Sequence, residues 1–274
     1  MTIIAMTREM GSLGKDVAAG VADRLGLEVV HHELVERGVA AHLGLQDSAV
    51  HRYLEGGASL LERWKIDKHK LSRYTSEEIL QLALKGNVLI RGWGTTALLQ
   101  NVPHVLRMRV CAPLAARERT MMQRLGLDDS ELVRREIERN DAAHARVLES
   151  MFAVDWQEPT GYDLVLNTEN VPIATCVEMV CGMARSAAFT TDAATQAALS
   201  DRLLESRIRA ALSERFGLGL TGISITLEQG KVALGGLTDD KALAQGVEQI
   251  VLGFSGVTSV DNRICVVRSR SSSM

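Results

Sequence analysis

The chain has 274 residues, 46% of them hydrophobic and 24% charged, with a formal net charge of −3. That length admits two cores, and so balanced a charge excludes the broad basic field of a nucleic-acid or anionic-membrane binder. No apolar stretch reaches the roughly 18 residues of a membrane helix, and the run "TIIAM" is too short for a secretory signal. A cytoplasmic chain without a transmembrane segment or a nucleic-acid partner is expected. Cys111, Cys176, Cys181 and Cys265 sit in apolar surroundings with no CxxC, which reads as a set of buried, reduced thiols.

In chain order, short apolar runs at 2–6, 87–92, 105–112 and 162–168 read as strands. Helix-period segments separate them at 15–25, 32–43, 75–85, 113–125, 129–149 and 172–187. Strands alternating with helices predict an α/β fold, a mostly parallel sheet covered by helices on both faces. Pro113 and Pro172 each suit a first helical position. Residues 44–74 read as two short helices around Glu55-Gly56-Gly57, with a basic cluster at Lys65, Lys68, His69 and Lys70.

Composition shifts near residues 185–200, which read as a linker. Beyond it the order is helix, strand, strand, helix, strand, a small α+β module. Its hairpin turns at Gln229-Gly230, and Thr238 is expected to cap the second helix, with Asp239 and Asp240 in the first turn. The tail at 269–274 reads as disordered.

The stretch "EMGSLGKD", residues 9–16, follows the first strand and opens a helix. A phosphate loop works because amides at a helix N-terminus converge on one cavity and a lysine adds a point charge. Against the spacing G-x-x-x-x-G-K-[ST], Gly14 and Lys15 are in place, while Glu9 stands for the opening glycine and Asp16 for the hydroxyl. Gly11, Ser12, Leu13, Gly14, Lys15 and Asp16 are the candidate donor-binding residues. Between Arg107 and Arg146 lie nine arginines and no lysine. Such planar forks suit phosphate oxygens, although pairs such as Glu131–Arg135 also fit a solvated helix face.

In order and spacing, "TREMGSLGKDVAAGVADRLGLEVVHHELV", "VLIRGWGTTALL", "HVLRMRVCAPLAARERTMM", "IERNDAAHARV" and "DWQEPTGYDLVLNTENV" resemble the cytidylate kinase-like family of P-loop proteins. Residues 200–267 resemble a BON module, associated with lipid or protein attachment. The resemblance implies a P-loop kinase-like domain at 1–186 with a lid near 126–150, a linker at 187–198, and a BON-like αββαβ domain at 199–268. It also implies that a glutamate at the loop's opening position is a family habit.

The implied chemistry is phosphoryl transfer from ATP, with Mg²⁺, to a nucleoside monophosphate of the CMP or dCMP type. Lys15, Arg117, Arg135 and Arg139 are the implied catalytic residues, and His31, Arg91, Trp93 and Asp141 the implied acceptor-binding ones. Mg²⁺ is expected to arrive with ATP, Asp16 being the side chain offered to it. Three positions depart from the family pattern: His31 replaces an aspartate, Gly92-Trp93-Gly94 a GRG with its arginine displaced to Arg91, and His144 a lid arginine. Neutral histidines are poor substitutes for fixed charges. They motivate an alternative, a catalytically weak nucleotide-binding regulator whose C-terminal domain mediates protein or membrane-surface attachment. Since that domain lacks a strongly basic face, a protein partner or self-association is the preferred expectation.

Overall fold

The computed structural model describes residues 1–54, 68–92 and 94–267. The chain divides into two compact units, Met1–Thr195 and Gln196–Met274.

The first unit is built on a five-stranded sheet in the order β2-β3-β1-β4-β5. The strands are β1 (Ile3–Arg8), β2 (Glu28–Val30), β3 (Val88–Arg91), β4 (Val105–Cys111) and β5 (Leu164–Asn167), and every pairing is parallel. Around them run α1 (Gly14–Leu25), α2 (His32–Leu43), α3 (Asp47–Leu54), α4 (Lys68–Lys85), the single turn α5 (Thr95–Leu98), α6 (Leu114–Leu125), α7 (Ser130–Phe152) and α8 (Ile173–Ala184). The continuous apolar run Ile3–Met6 is fully buried, as befits a central strand covered on both faces. Ile4, Met6, Leu106 and Met108 form one core with Val17 and Val21 of α1 and Val177 and Val180 of α8.

Structure departs from the sequence expectation in local ways. β2 has only three residues, and α4 begins at Lys68, so the expected helix at 75–85 is the C-terminal part of a longer one. Pro113 and Pro172 cap their helices from one residue outside. Cys176 and Cys181 are buried, but Cys111 is half-buried and Cys265 exposed, because Cys265 alternates to the solvent side of an edge strand. Glu55-Gly56-Gly57 and Lys65 lie outside the described residues. Among the described residues, no helix is long and apolar enough to cross a membrane.

In the second unit, α9 (Ala193–Phe216, shared at its start with the first unit) and α10 (Lys241–Leu252) cover a three-stranded sheet. Its order is β6-β7-β8: Ile223–Glu228 pairs antiparallel with Lys231–Thr238, which pairs parallel with Ser259–Val266. Ile208, Leu212, Ile225, Val232, Leu234, Leu243, Val247 and Val251 form its core. Asp240, not Thr238, caps α10, accepting from the amides of Ala242 and Leu243; the Thr238 hydroxyl instead accepts from the Asp240 amide. The hairpin turn carries positive φ at Gln229 and Gly230 (50° and 74°), as a tight two-residue turn requires. Asp201 of α9 accepts from both of their amides, at 2.5 and 3.1 Å.

Hydrogen bonds to a charged acceptor contribute about 1.5–3 kcal/mol each. Replacing Asp201 with alanine is therefore expected to speed amide hydrogen exchange in β6 and β7 at least about tenfold while leaving β1–β5 unchanged. Unaltered exchange in the hairpin would show that the turn holds itself.

Candidate functional site

β1 delivers the chain to the C-terminal edge of the sheet at Arg8, and six residues later α1 begins. The turn between them depends on two left-handed residues, Gly11 at φ 78° and Leu13 at φ 58°. At Gly11 the reason is steric as well: a Cβ there would stand 2.7 Å from the backbone oxygen of Arg117. A left-handed leucine costs roughly 1–2 kcal/mol, and it caps α1 with its carbonyl accepting from the amides of Asp16 and Val17. The Thr168 hydroxyl, just beyond β5, donates to the Ser12 carbonyl at 2.7 Å. The Ser12 hydroxyl is buried with no hydrogen-bond partner among the described residues. Lys15 stands exposed at the helix start. A curled loop at a positive helix end, with an orphaned hydroxyl and an exposed ammonium, has the chemistry of an oligophosphate cradle.

Charge braces the loop from below. Glu9 is buried, and its carboxylate accepts from Arg109 Nη2 at 2.6 Å and from the Ala112 amide at 3.1 Å, with Arg117 Nε 3.5 Å away. Arg117, itself buried, makes a bidentate pair with Asp141 of α7 at 3.1 and 2.8 Å. Two residues expected in separate roles, Arg117 in catalysis and Asp141 at the acceptor, are thus brought onto each other. Asp16 pairs with Arg124 of α6.

Beside the loop a cavity of about 390 Å³ is lined by Lys15, Glu28, Val29, Val30, His31, Arg37 and Arg91. Connections leave β1 toward β2 and leave β3 toward β4, so the crevice at their carboxyl ends is the topological switch point where open α/β sheets take ligands. His31 and Arg91, two of the residues expected at the acceptor, both line it. Trp93 lies outside the described residues. Gly92 (φ 121°) and Gly94 (φ 69°) flank it, and Gly94 has no room for a side chain because a Cβ would fall 2.2 Å from the Phe152 ring. Arg37 was missed: one helical turn into α2, it looks like any surface arginine until β2 and β3 are set side by side.

Residues 3–170 match the cytidylate kinase-like family and residues 200–268 match the BON domain. The chain belongs to the cytidylate kinase-like family. It is similar to a protein named cytidylate kinase from Pyrobaculum aerophilum, at 26% identity over 182 residues, 65% of this chain and 90% of that one. Among solved structures it is similar to an uncharacterized protein from Eubacterium ventriosum, with a TM-score of 0.51 and 18% identity over 66% of this chain and 97% of that one. That likeness speaks for the fold alone.

The remaining arginines of this kinase-like unit divide by environment. Arg135 and Arg139 project from α7 at 66% and 69% side-chain exposure, beside Glu131 (3.9 Å) and Glu136 (2.8 Å). Arg134 reaches across to Glu118 at 2.6 Å rather than along its own helix, and that hydrogen bond holds the Glu118 carboxyl below its ordinary pKa. His144, at the family's arginine position, stacks on Trp156 with centroids 4.6 Å apart. The Tyr162 hydroxyl donates to the Trp156 carbonyl at 2.6 Å, and burial pushes its pKa up to about 12 against the opposing Arg109 charge.

For Tyr162 the folded state holds the proton more tightly than the unfolded one, so its contribution is complete below the unfolded pKa of about 10 and is lost as pH rises toward about 12. An alkaline absorbance titration should show one tyrosine ionising near 12 that Tyr162→Phe lacks. A titration unchanged by that substitution would contradict the burial argument.

Proposed function

We propose that the first unit transfers the γ-phosphoryl group of ATP to a nucleoside monophosphate of the CMP or dCMP type. The observation that carries this reading is the cationic cavity that opens from Lys15 at the switch point. The loop fits a triphosphate: the buried, unpartnered Ser12 hydroxyl and the exposed Lys15 ammonium are groups that gain a partner when phosphates arrive. Gly11, Ser12, Leu13, Gly14 and Lys15 would hold the donor, and Asp16 would offer a carboxylate to its Mg²⁺ on release from Arg124. When bound, ATP with Mg²⁺ supplies the transferable group and part of the charge that neutralises it.

Arg91 and Arg37 hold the acceptor's phosphate beside Lys15, His31 contributes a ring nitrogen for a hydrogen bond, and Trp93 is proposed for the base. Arg135 and Arg139 meet the charge of the moving group. Energetics favours these two, because an exposed pair is worth about 0.2–1 kcal/mol and both can turn inward at little cost. Arg117 cannot, since breaking a buried pair costs about 3–5 kcal/mol; its proposed contribution to catalysis is to hold loop and α7 together. Positioning and fixed charge suffice for this reaction without a strong general base.

A second reading, a nucleotide-responsive regulator with weak transfer, is favoured by His144, which is packed on Trp156 where the family carries a lid arginine. Under either reading the C-terminal domain serves attachment to a protein partner or a second copy. Arg263 there is matched by Asp261 at 2.5 Å, which gives little purchase to an anionic lipid surface.

An ATP-consumption assay over a panel of monophosphates tests the transfer reading: turnover with a pyrimidine monophosphate supports it, and calorimetric ATP binding without turnover selects the regulator. Lys15→Ala should weaken ATP binding by at least about tenfold, and Arg139→Ala should lower kcat by about 10³-fold at unchanged melting temperature. Full activity in both would refute the assignment.

A further inference from the structure

We propose that Trp156 is a positioning residue that transmits the setting of α7 to the phosphate loop. This rests on the reading of that loop as the ATP site. Six side chains form a closed path. Asp141 and His144 stand three residues apart on α7, so both ends of the path belong to one face of one helix. From Asp141 the path crosses the bidentate pair to Arg117, and from Arg117 to Glu9 Oε2 at 3.5 Å. Glu9 Oε1 accepts from Arg109 at 2.6 Å. The Arg109 guanidinium lies 5.0 Å over the Trp156 ring, and the same indole stacks on His144 at 4.6 Å and 13°, which returns the path to α7.

Trp156 is the member that no ion pair replaces. It is 2% exposed, and its backbone is pinned by the Tyr162 hydroxyl. The neighbouring Gln157 carbonyl accepts from Arg109 Nη1 at 3.0 Å. Arg109 is therefore held by the Trp156–Gln157 segment through both ring and backbone, and it cannot leave Glu9 without unstacking from the indole. Glu9 in turn sets the entry of the loop: its amide donates to Val110 O and its carbonyl accepts from the Ser12 amide. A shift of α7 reaches the loop by two routes, through Asp141–Arg117 and through His144–Trp156–Arg109, and both end on one carboxylate. Glu9, at a position where most phosphate loops have glycine, makes the loop readable by the helix above it.

Calorimetric titration of the full chain with ATP tests this. Couplings through such packed networks run to a few-fold or about tenfold. Trp156→Leu is expected to weaken ATP binding about tenfold, and Trp156→Phe, which keeps a ring under Arg109, to stay within about threefold of the wild type. Combining Trp156→Leu with Glu9→Gln should give a variant no weaker than the weaker single one, since both cut the same path. A purely structural tryptophan would lower the melting temperature yet give multiplicative effects on affinity, and that result overturns the proposal. If Trp156→Leu does not fold, the half-buried His144 decides: His144→Ala should weaken ATP binding about threefold in the wild-type background and not at all in the Glu9→Gln background. Wild-type protein that fails to bind ATP defeats the reading of the loop. Wild-type binding that His144→Ala and Trp156→Leu leave unchanged defeats only the coupling.

Discussion

A carboxylate taken out of water must be matched by cations and donors, and the Glu9 carboxylate is such a group at the point where the chain leaves β1. The effective penalty for burying an ion is several kcal/mol, and it is offset here by Arg109, by Arg117 and by the Ala112 amide. Because those partners come from β4 and from the start of α6, the loop, the adjacent strand and the helix behind it are fixed by one electrostatic requirement. Its backbone is therefore curled, with Leu13 left-handed and Gly11 pressed on the Arg117 carbonyl, by contacts made within the protein alone. Preorganisation of this kind places the ordering cost in folding rather than in ligand binding.

The same requirement sorts the arginines of residues 107–146. Three are committed to carboxylates in the interior or near it: Arg107 grips Asp163 with its backbone amide and both ends of its fork, while Arg109 and Arg117 serve Glu9 and Asp141. Arg119, Arg135, Arg139 and Arg146 stand on the surface with weak or local partners. An arginine-rich segment thus holds two populations that differ by several kcal/mol in how firmly each is held. The loosely held one is suited to a charge that exists only in a transition state.

Much of this was legible in the residues. Apolar runs gave β1, β3 and β4, whose residues are mostly buried on both faces, and also the edge strand β5, in which only Leu166 is buried, whereas β2 is three residues long and offers no pattern to read. The loop was legible from Gly14-Lys15 behind a strand. The pairing of Arg117 with Asp141 was not, since it joins residues 24 apart through the packing of α6 on α7, which no local spacing encodes. Neither was the stacking of His144 on Trp156, where a charge-based reading sees only a missing arginine. The cap of α10 was displaced by two residues because "TDD" offers three acceptable caps in succession, and the backbone geometry, not composition, selects Asp240.

The cavity beside Lys15 carries its own argument about selectivity. Its described lining presents Lys15, Arg37 and Arg91 as cations against Glu28, with His31, Val29 and Val30 beside them. Concave cationic walls raise the local concentration of anions, so a phosphate entering such a crevice would meet strong, directional partners. A base edge is discriminated by 10⁴-fold or more only where buried polar groups would be left unpaired by the wrong partner. Val29 and Val30 supply apolar surface, and an apolar wall separates similar ring shapes by roughly 10–200-fold. A described lining of three cations against one carboxylate and two valines therefore offers firmer partners to a phosphate than to a base edge.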